Sequence, residues 1–401
     1  MKKTEKPEGS PLLGAHMRAL DGESSYFFAG KARELEEKGK SIIHMEIGQP
    51  DFNTPQAIQD AGIEAIARGK TKYNPSLGIP ELRAAVAQEV NRARGTDVVP
   101  GQVGITPGGK AALTVVLGSL LEPGDEVICP DPGFNAYRNI LSFFRATPRF
   151  LHLEESRGFG FDVEALARLI SPKTKALILN SPSNPTGGVI SRKDLEQIAD
   201  ILAPTAIWVL SDEIYSRIVY GPEEYISPLS IKGLRERTIL IDGFSKTYSM
   251  TGWRLGYFVA PPSVMPAMEA LVTHGIGCTA TFTQHAALRA FAHCEKEVEH
   301  MVSEFKRRRD FLVGALRKID GVSCCEPQGA FYVFPNVSVF GKSSHEMARV
   351  LLEKGGVSVL PGSIFGAHGE GYLRISYATS LEHLQEGARR IEACLGSFKR
   401  I

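Results

Sequence analysis

Through its middle the chain alternates short apolar runs with longer amphipathic stretches. "EVICPDP", "KALILNSPSNP", "AIWVLSDEIY", "TILIDGFSK" and "LGYFVAPP" are rich in Ile, Val and Leu. Continuous runs of this kind predict strands buried on both faces. Helical patterns lie between several of them. In "SRKDLEQIADIL", Leu195, Ile198, Ala199 and Ile201-Leu202 share a face, and Ser191 with Asp194 reads as an N-cap followed by an acidic N3 residue. Strand, helix, strand at this spacing predicts an α/β fold, a mostly parallel sheet covered by helices.

Past about residue 295 the texture changes. The charged helix "CEKEVEHMVSEFKRRRDFLVGALRKI" leads into "GVSCCEP", "GAFYVFPNV", "VSVLPGS" and "YLRISYA". These short runs predict strands of a smaller α+β domain. The strand in "SIIHMEIGQPDF" has no neighbour in the main alternation, and it is assigned to the same small domain. The expected division is residues 1–50 as an N-terminal arm and part of the small domain, 51–295 as the large domain and 296–401 as the small C-terminal domain.

Composition narrows the function classes. With 401 residues, 43% hydrophobic and 23% charged, the chain is long enough for two packed cores. A net charge of +1 argues against a nucleic-acid or membrane partner. No apolar run reaches the ~18 residues of a membrane span. The start, "MKKTEKPEGSPLLG", lacks the apolar segment of a secretion signal and reads as a flexible tail or arm. The six cysteines have no C-x-x-C spacing, and adjacent Cys324 and Cys325 read as reduced, which suggests a cytoplasmic protein. The ten histidines form no metal-binding motif, so no metal is expected.

Ligands of open α/β sheets sit outside the carboxyl ends of the strands. Five predicted strands end in polar, aromatic or glycine-rich segments. "VGIT" is followed by Pro107, Gly108, Gly109 and Lys110; "VICP" by Asp131, Pro132, Gly133 and Phe134. "ALILN" runs into Ser181-Pro182-Ser183-Asn184-Pro185; "IWVLS" into Asp212, Glu213 and Tyr215; "LIDGF" into Ser245 and Lys246. Each has an ordinary structural use: Asn184 as a turn former, Asp212 as a helix cap, Lys246 as a snorkelling cation. Together they describe a pocket with a base, an acid, an aromatic face and an anion site. Gly104 to Ala111 nearly spells a nucleotide-binding P-loop, but Ala111 stands where a metal-binding hydroxyl is required. A glycine turn opening a helix still suits another phosphate.

Phosphate site, aromatic face, carboxylate and lysine together suggest pyridoxal phosphate, whose sites pair a lysine with an acid facing the pyridine nitrogen. The stretch "GFSKTYSMTGWRLG", Gly243 to Gly256, resembles the lysine signature of the class I/II pyridoxal-phosphate-dependent aminotransferases, the aspartate aminotransferase family of fold type I. "IGQPDF", "YNPSLGIPELR", "TPGGKAAL", "NSPSNPTG", "SDEIY" and "LRISYA" follow that family's order from about Ile43 to about Ala378. The resemblance implies a seven-stranded sheet in the large domain and a ping-pong transfer of an α-amino group from an L-amino acid to a 2-oxo acid.

By the same resemblance, Lys246 bonds the cofactor's aldehyde and then moves the substrate's Cα proton. Asp212 faces the pyridine nitrogen, Tyr215 and Asn184 donate to the cofactor's phenolic oxygen, and Phe134 stacks on its ring. Gly108, Gly109, Lys110, Ser245 and Arg254 surround the phosphate. Tyr73 reaches the phosphate of a neighbouring subunit, which implies a homodimer with shared sites. Arg374 clamps the substrate α-carboxylate, Gly48 lies beside it, and Asn184 also touches it. Lys110 is a candidate for a distal substrate carboxylate as much as for the phosphate region. Ser25, Tyr26 and Phe27 are candidate pocket lining. Aspartate or glutamate, or a broad set of amino acids, are the candidate substrates. β-Eliminating C–S lyases share the same residues and are the alternative activity. A cofactor-sensing regulator of nucleic acid is disfavoured, because no basic helix-turn-helix precedes the fold.

Overall fold

The computed structural model describes residues 25–221 and 225–398, together with positions 14, 17 and 20. The proposed tail at residues 1–13 lies outside the described residues. Among the described residues twelve strands follow in chain order. Ile43–His44 (β1) comes first. Val103–Thr106 (β2), Glu126–Asp131 (β3), Thr147–His152 (β4), Thr174–Asn180 (β5), Trp208–Asp212 (β6), Thr238–Gly243 (β7) and Gly256–Val259 (β8) form the large sheet. Tyr332–Val333 (β9), Val357–Ser358 (β10), Leu360–Pro361 (β11) and Leu373–Ser376 (β12) are shorter and pair elsewhere.

The large sheet has the order β2-β8-β7-β6-β5-β3-β4. β7, β6, β5, β3 and β4 pair in parallel, while β8 runs antiparallel to both β2 and β7. This reversal brings the start of β8, not its end, to the carboxyl edge of its neighbours. Gly256 pairs with both Thr106 and Gly243, so Arg254 emerges where the chain leaves β2 and β7.

Alternation along the strands explains the two covered faces. Leu177 and Leu179 of β5 pack with Leu195 and Ile198 on one side, whereas Ala176 and Ile178 pack with Leu113 and Val116 on the other. The helix Arg192–Leu202 lies on the first face, and the Ser191 hydroxyl caps it by accepting from the Asp194 N–H at 3.1 Å.

A further core gathers Met301, Phe305 and Leu312 of the helix Glu295–Leu316 with Phe331, Val357, Leu373 and Ile375. Ile43 and Met45 belong to it, and β1 pairs in parallel with β10. β9, β12 and β11 form a small antiparallel sheet. "GVSCCEP" does not form the expected strand. It contributes one bridge, Ser323 to Asn336, and Cys324 and Cys325 follow it as unpaired thiols. β4, by contrast, had no strong sequence signal. Five of its six residues are intermediate or exposed, and it is held as an edge strand by parallel pairing to β3. No helix among the described residues is long and apolar enough to cross a membrane.

Candidate active site

At the carboxyl edge, β2 gives way to Pro107-Gly108-Gly109, and the helix Gly109–Leu120 begins. Gly108 has φ +92°, a region that disfavours side chains, and a Cβ there would lie 2.5 Å from an Arg254 guanidinium nitrogen. A Cβ on Gly256 would lie 2.7 Å from the backbone of Gly108 and Gly109. Both glycines therefore allow Arg254 and the helix start to approach each other. Arg254 donates to the Thr251 carbonyl at 2.9 Å, and Ser245 is buried nearby in the chain. A helix N-terminus with a guanidinium set against it suits an anion.

Asp212 ends β6 and is buried. Burial lifts its carboxyl to about 6, opposed by hydrogen bonds from Tyr137 and the Ile214 N–H. The Tyr137 hydroxyl donates to Asp212 Oδ2 at 2.6 Å. Phe134 starts the helix Asn135–Phe143 and meets Tyr137 edge-on at 5.6 Å between ring centres. Glu213, the next acid, serves a different purpose. Its carboxylate accepts from Arg94 at 2.9 Å and from Ser211 at 2.8 Å, while Arg94 also reaches Asp242 at 3.0 Å. A cavity of about 380 Å³ beside this ion network contains Arg94 and Asp242 but not Lys246, Asp212 or Arg374.

Lys246 donates to the Gly48 carbonyl. Its ammonium lies 6.0 Å from the Tyr215 ring centre and 5.8 Å from that of Phe331. Burial, then the charges of Arg374, Lys110 and Arg254, bring its pKa down to about 7, against the pull of Asp212. Near neutral pH a large fraction is thus the neutral amine, the form that can attack a carbonyl or take a proton.

Arg374 comes from β12, in the further core, and is only 3% exposed. It donates to the Glu46 carbonyl and, at 3.3 Å, to Asn184 Oδ1. Its guanidinium lies 4.4 Å from the Tyr332 ring centre and 5.2 Å from that of Phe365. Its buried Nε has no hydrogen-bond partner among the described residues. A desolvated guanidinium with an unused N–H is a receptor for a carboxylate. Gly48 sits against Tyr332: a Cβ there would be 2.2 Å from the Tyr332 hydroxyl. That hydroxyl shares a 2.8 Å hydrogen bond with Tyr215, whose own hydroxyl is pushed up in pKa by burial and by Tyr332. Asn184 is fixed through its N–H to Asn180 Oδ1 at 2.9 Å, and Asn180 in turn donates to the Asp212 carbonyl at 3.2 Å.

The structure thus brings Lys246, Gly48, Asn184, Asp212, Tyr215 and Arg374 into one linked set, and sets Arg254 against the Gly108-Gly109 turn, while Ser245 is buried one residue before Lys246. Lys110 is exposed, with its ammonium 5.6 Å from the Phe134 ring centre. Tyr73 is 97% exposed and joins no site within one chain. Ser25, Tyr26 and Phe27 open the helix Ser25–Glu36, where Tyr26 is 74% exposed. Sequence reasoning missed Tyr137 and Tyr332. The signal for Tyr137 was its spacing: it lies three residues after Phe134, on the same helical face.

Residues 40–391 match the family model of class I and II aminotransferases, and the chain belongs to that family. An aspartate aminotransferase of Pyrococcus horikoshii is 43% identical over 374 residues, covering 92% of this chain and 95% of the relative. Aromatic-amino-acid aminotransferase 2 of Thermococcus litoralis is 39% identical over 374 residues, covering 92% and 96%. The solved aspartate aminotransferase of Thermus thermophilus with maleate superposes with a TM-score of 0.91 at 36% identity, covering 95% of this chain and 99% of that one.

The chain is therefore a pyridoxal-phosphate-dependent transaminase. Its relatives are aminotransferases, which favours transamination over β-elimination. The residues fit the cofactor on their own chemistry. A glycine cradle and a guanidinium suit a phosphate, a buried carboxylate suits a ring nitrogen, and a lysine of lowered pKa suits an aldehyde.

Proposed function

We propose that this enzyme transfers the α-amino group of aspartate, or of a wider set of L-amino acids, to a 2-oxo acid, acting as a cytoplasmic homodimer. The observation that carries the reading is the pairing of Lys246, a softened amine, with the unused edge of Arg374. One group handles the proton at Cα, and the other holds the carboxylate on the same carbon.

In this reading Gly108, Gly109, Ser245 and Arg254 bind the cofactor's phosphate, Phe134 covers one face of its ring, and Asp212 faces its nitrogen. Asn184 and Tyr215 donate to its phenolic oxygen. When bound, pyridoxal phosphate supplies an electron sink for the bonds at Cα. Lys246 Nζ takes the Cα proton of the amino-acid donor in one half of the cycle and gives a proton to Cα of the new amino acid in the other. Arg374, with Asn184 and the Gly48 backbone, fixes the α-carboxylate and so the direction of the Cα–H bond. Both Gly48 and Arg374 pack with the further core. That core is read as a small domain, residues 1–50 with 296–401, which closes over the substrate and excludes water from residues 51–295.

The substrate is tested by single-turnover reactions with a panel of amino acids, following conversion of the pyridoxal to the pyridoxamine form. Lys110 is proposed to meet a distal carboxylate. Lys110→Ala is then expected to lower the efficiency with aspartate about ten- to hundredfold, the worth of one charged hydrogen bond, and to leave phenylalanine within about twofold. Equal losses on both substrates would reassign Lys110 to the phosphate region.

The exposure of Tyr73 supports a role in a second subunit's site. Tyr73→Phe is expected to speed cofactor loss from the dimer about fivefold, for one hydrogen bond of ~1 kcal/mol. Unchanged retention on gel filtration would remove Tyr73 from the partner's site.

A further inference from the structure

Behind Arg374 lies a charge cluster that the functional reading does not use. Glu46 is fully buried, and its Oε1 accepts from His44 Nδ1 at 2.8 Å. His44 Nε2 lies 3.1 Å from Glu36 Oε1, on the helix Ser25–Glu36. The hydrogen bond that His44 donates to Glu46, against the opposing effect of burial, raises the His44 pKa to about 9, so the ring is a cation at neutral pH. The backbone of the same Glu46 holds Arg374 through its carbonyl. Among the described residues, Glu46 is the carboxylate whose charge favours the ionised form of Arg374, whose pKa burial lowers. Among the described residues Glu46 Oε2 has no hydrogen-bond partner, and neither does Arg374 Nε. A fully buried carboxylate is costly unless it offsets a charge. His44 offsets part of it, and Arg374, which interacts with the Glu46 charge, is a second cation among the described residues.

We propose that Glu46, clamped by His44, is a positioning residue for Arg374: its carbonyl anchors the guanidinium, and its buried charge, set against that of His44, fixes how tightly the substrate α-carboxylate is held. This rests on the assignment of Arg374 to that carboxylate. The field argument gives opposite signs for the two partners. Glu46→Gln removes a negative charge behind the receptor and strengthens carboxylate binding. His44→Gln leaves Glu46 uncompensated and weakens it. The double substitution returns the local charge to its starting value.

The test uses single-turnover reactions of the cofactor-loaded enzyme with L-alanine, L-aspartate and L-phenylalanine, which share only the α-carboxylate and amine. Saturation constant and maximal rate are read separately. His44→Gln is expected to raise the saturation constant roughly tenfold, a single charge acting through a partly screened interior. Glu46→Gln is expected to lower it. His44→Gln with Glu46→Gln falls within about twofold of the starting enzyme, and Glu46→Asp, which keeps the charge, does likewise. The factor is the same for each amino acid that reacts, and the maximal rate changes less than the saturation constant.

If both single variants weaken binding and the double is worse, the pair is only structural and the proposal fails. It fails equally if none of the constants moves, or if every variant, Glu46→Asp included, loses its fold on thermal melting. Arg374→Lys serves as the control. If it leaves the saturation constants unchanged, the assignment of Arg374 itself is wrong, whatever the Glu46 variants do.

Discussion

Lys246→Ala is expected to abolish transamination and the visible absorption of the lysine-bound cofactor together. Proton transfer by a positioned side chain contributes about 10²- to 10⁴-fold, and covalent attachment adds to that. A loss of at least about 10⁴-fold in single-turnover rate is the expected size. Alanine removes the amine that meets the Gly48 carbonyl and lies within reach of the Tyr215 and Phe331 rings. It leaves the strand behind it intact, since Phe244 and Tyr248 are the residues of this turn that pack in the core. Circular dichroism therefore stays native. Turnover within tenfold of the original enzyme would remove Lys246 from the chemistry.

Asp212→Asn carries the second large effect. Burial opposes the charge of this carboxyl and holds it at about 6. A cationic ring nitrogen beside it would draw it back down, and each group then stabilises the other. Asparagine keeps the shape and the approach of Tyr137, whose hydroxyl lies 2.6 Å from Asp212, but cannot supply the charge. The single-turnover rate is expected to fall at least about a hundredfold, comparable to losing one aimed electrostatic group from a dry site. Measured per bound cofactor, a loss of only a few-fold would show that the ring nitrogen does not depend on Asp212.

How much of this was legible in the sequence depended on how local the signal was. Apolar runs with strand-end chemistry located Asn184, Asp212, Ser245 and Lys246, since each lies within a few residues of the strand that presents it. The family signature then added Arg254 and Arg374. Glu213 shows the limit of such reading. Next to Asp212 in the chain, it turns to a partner 119 residues away, Arg94. Tyr137 and Tyr332 were hidden for the same reason. One looks like the buried face of a helix and the other like the middle of a strand, and each takes its meaning from a contact distant in sequence, Asp212 or Tyr215. "GVSCCEP" had the composition of a strand but no long ladder partner, and β4 had a partner in β3 but a mixed composition. Pairing, more than propensity, decided both. The charge pair His44–Glu46 sits in a run that reads as an ordinary strand, and what marks it out is the burial of Glu46, whose carbonyl holds Arg374.

The most direct test of the central claim is borohydride reduction of the cofactor-loaded enzyme, followed by digestion and mass mapping of the attached pyridoxyl group. The account predicts one labelled peptide, with the label on Lys246, and none in Lys246→Ala. A label on Lys110 or on any other lysine, or no stable label at all in the active enzyme, would contradict it.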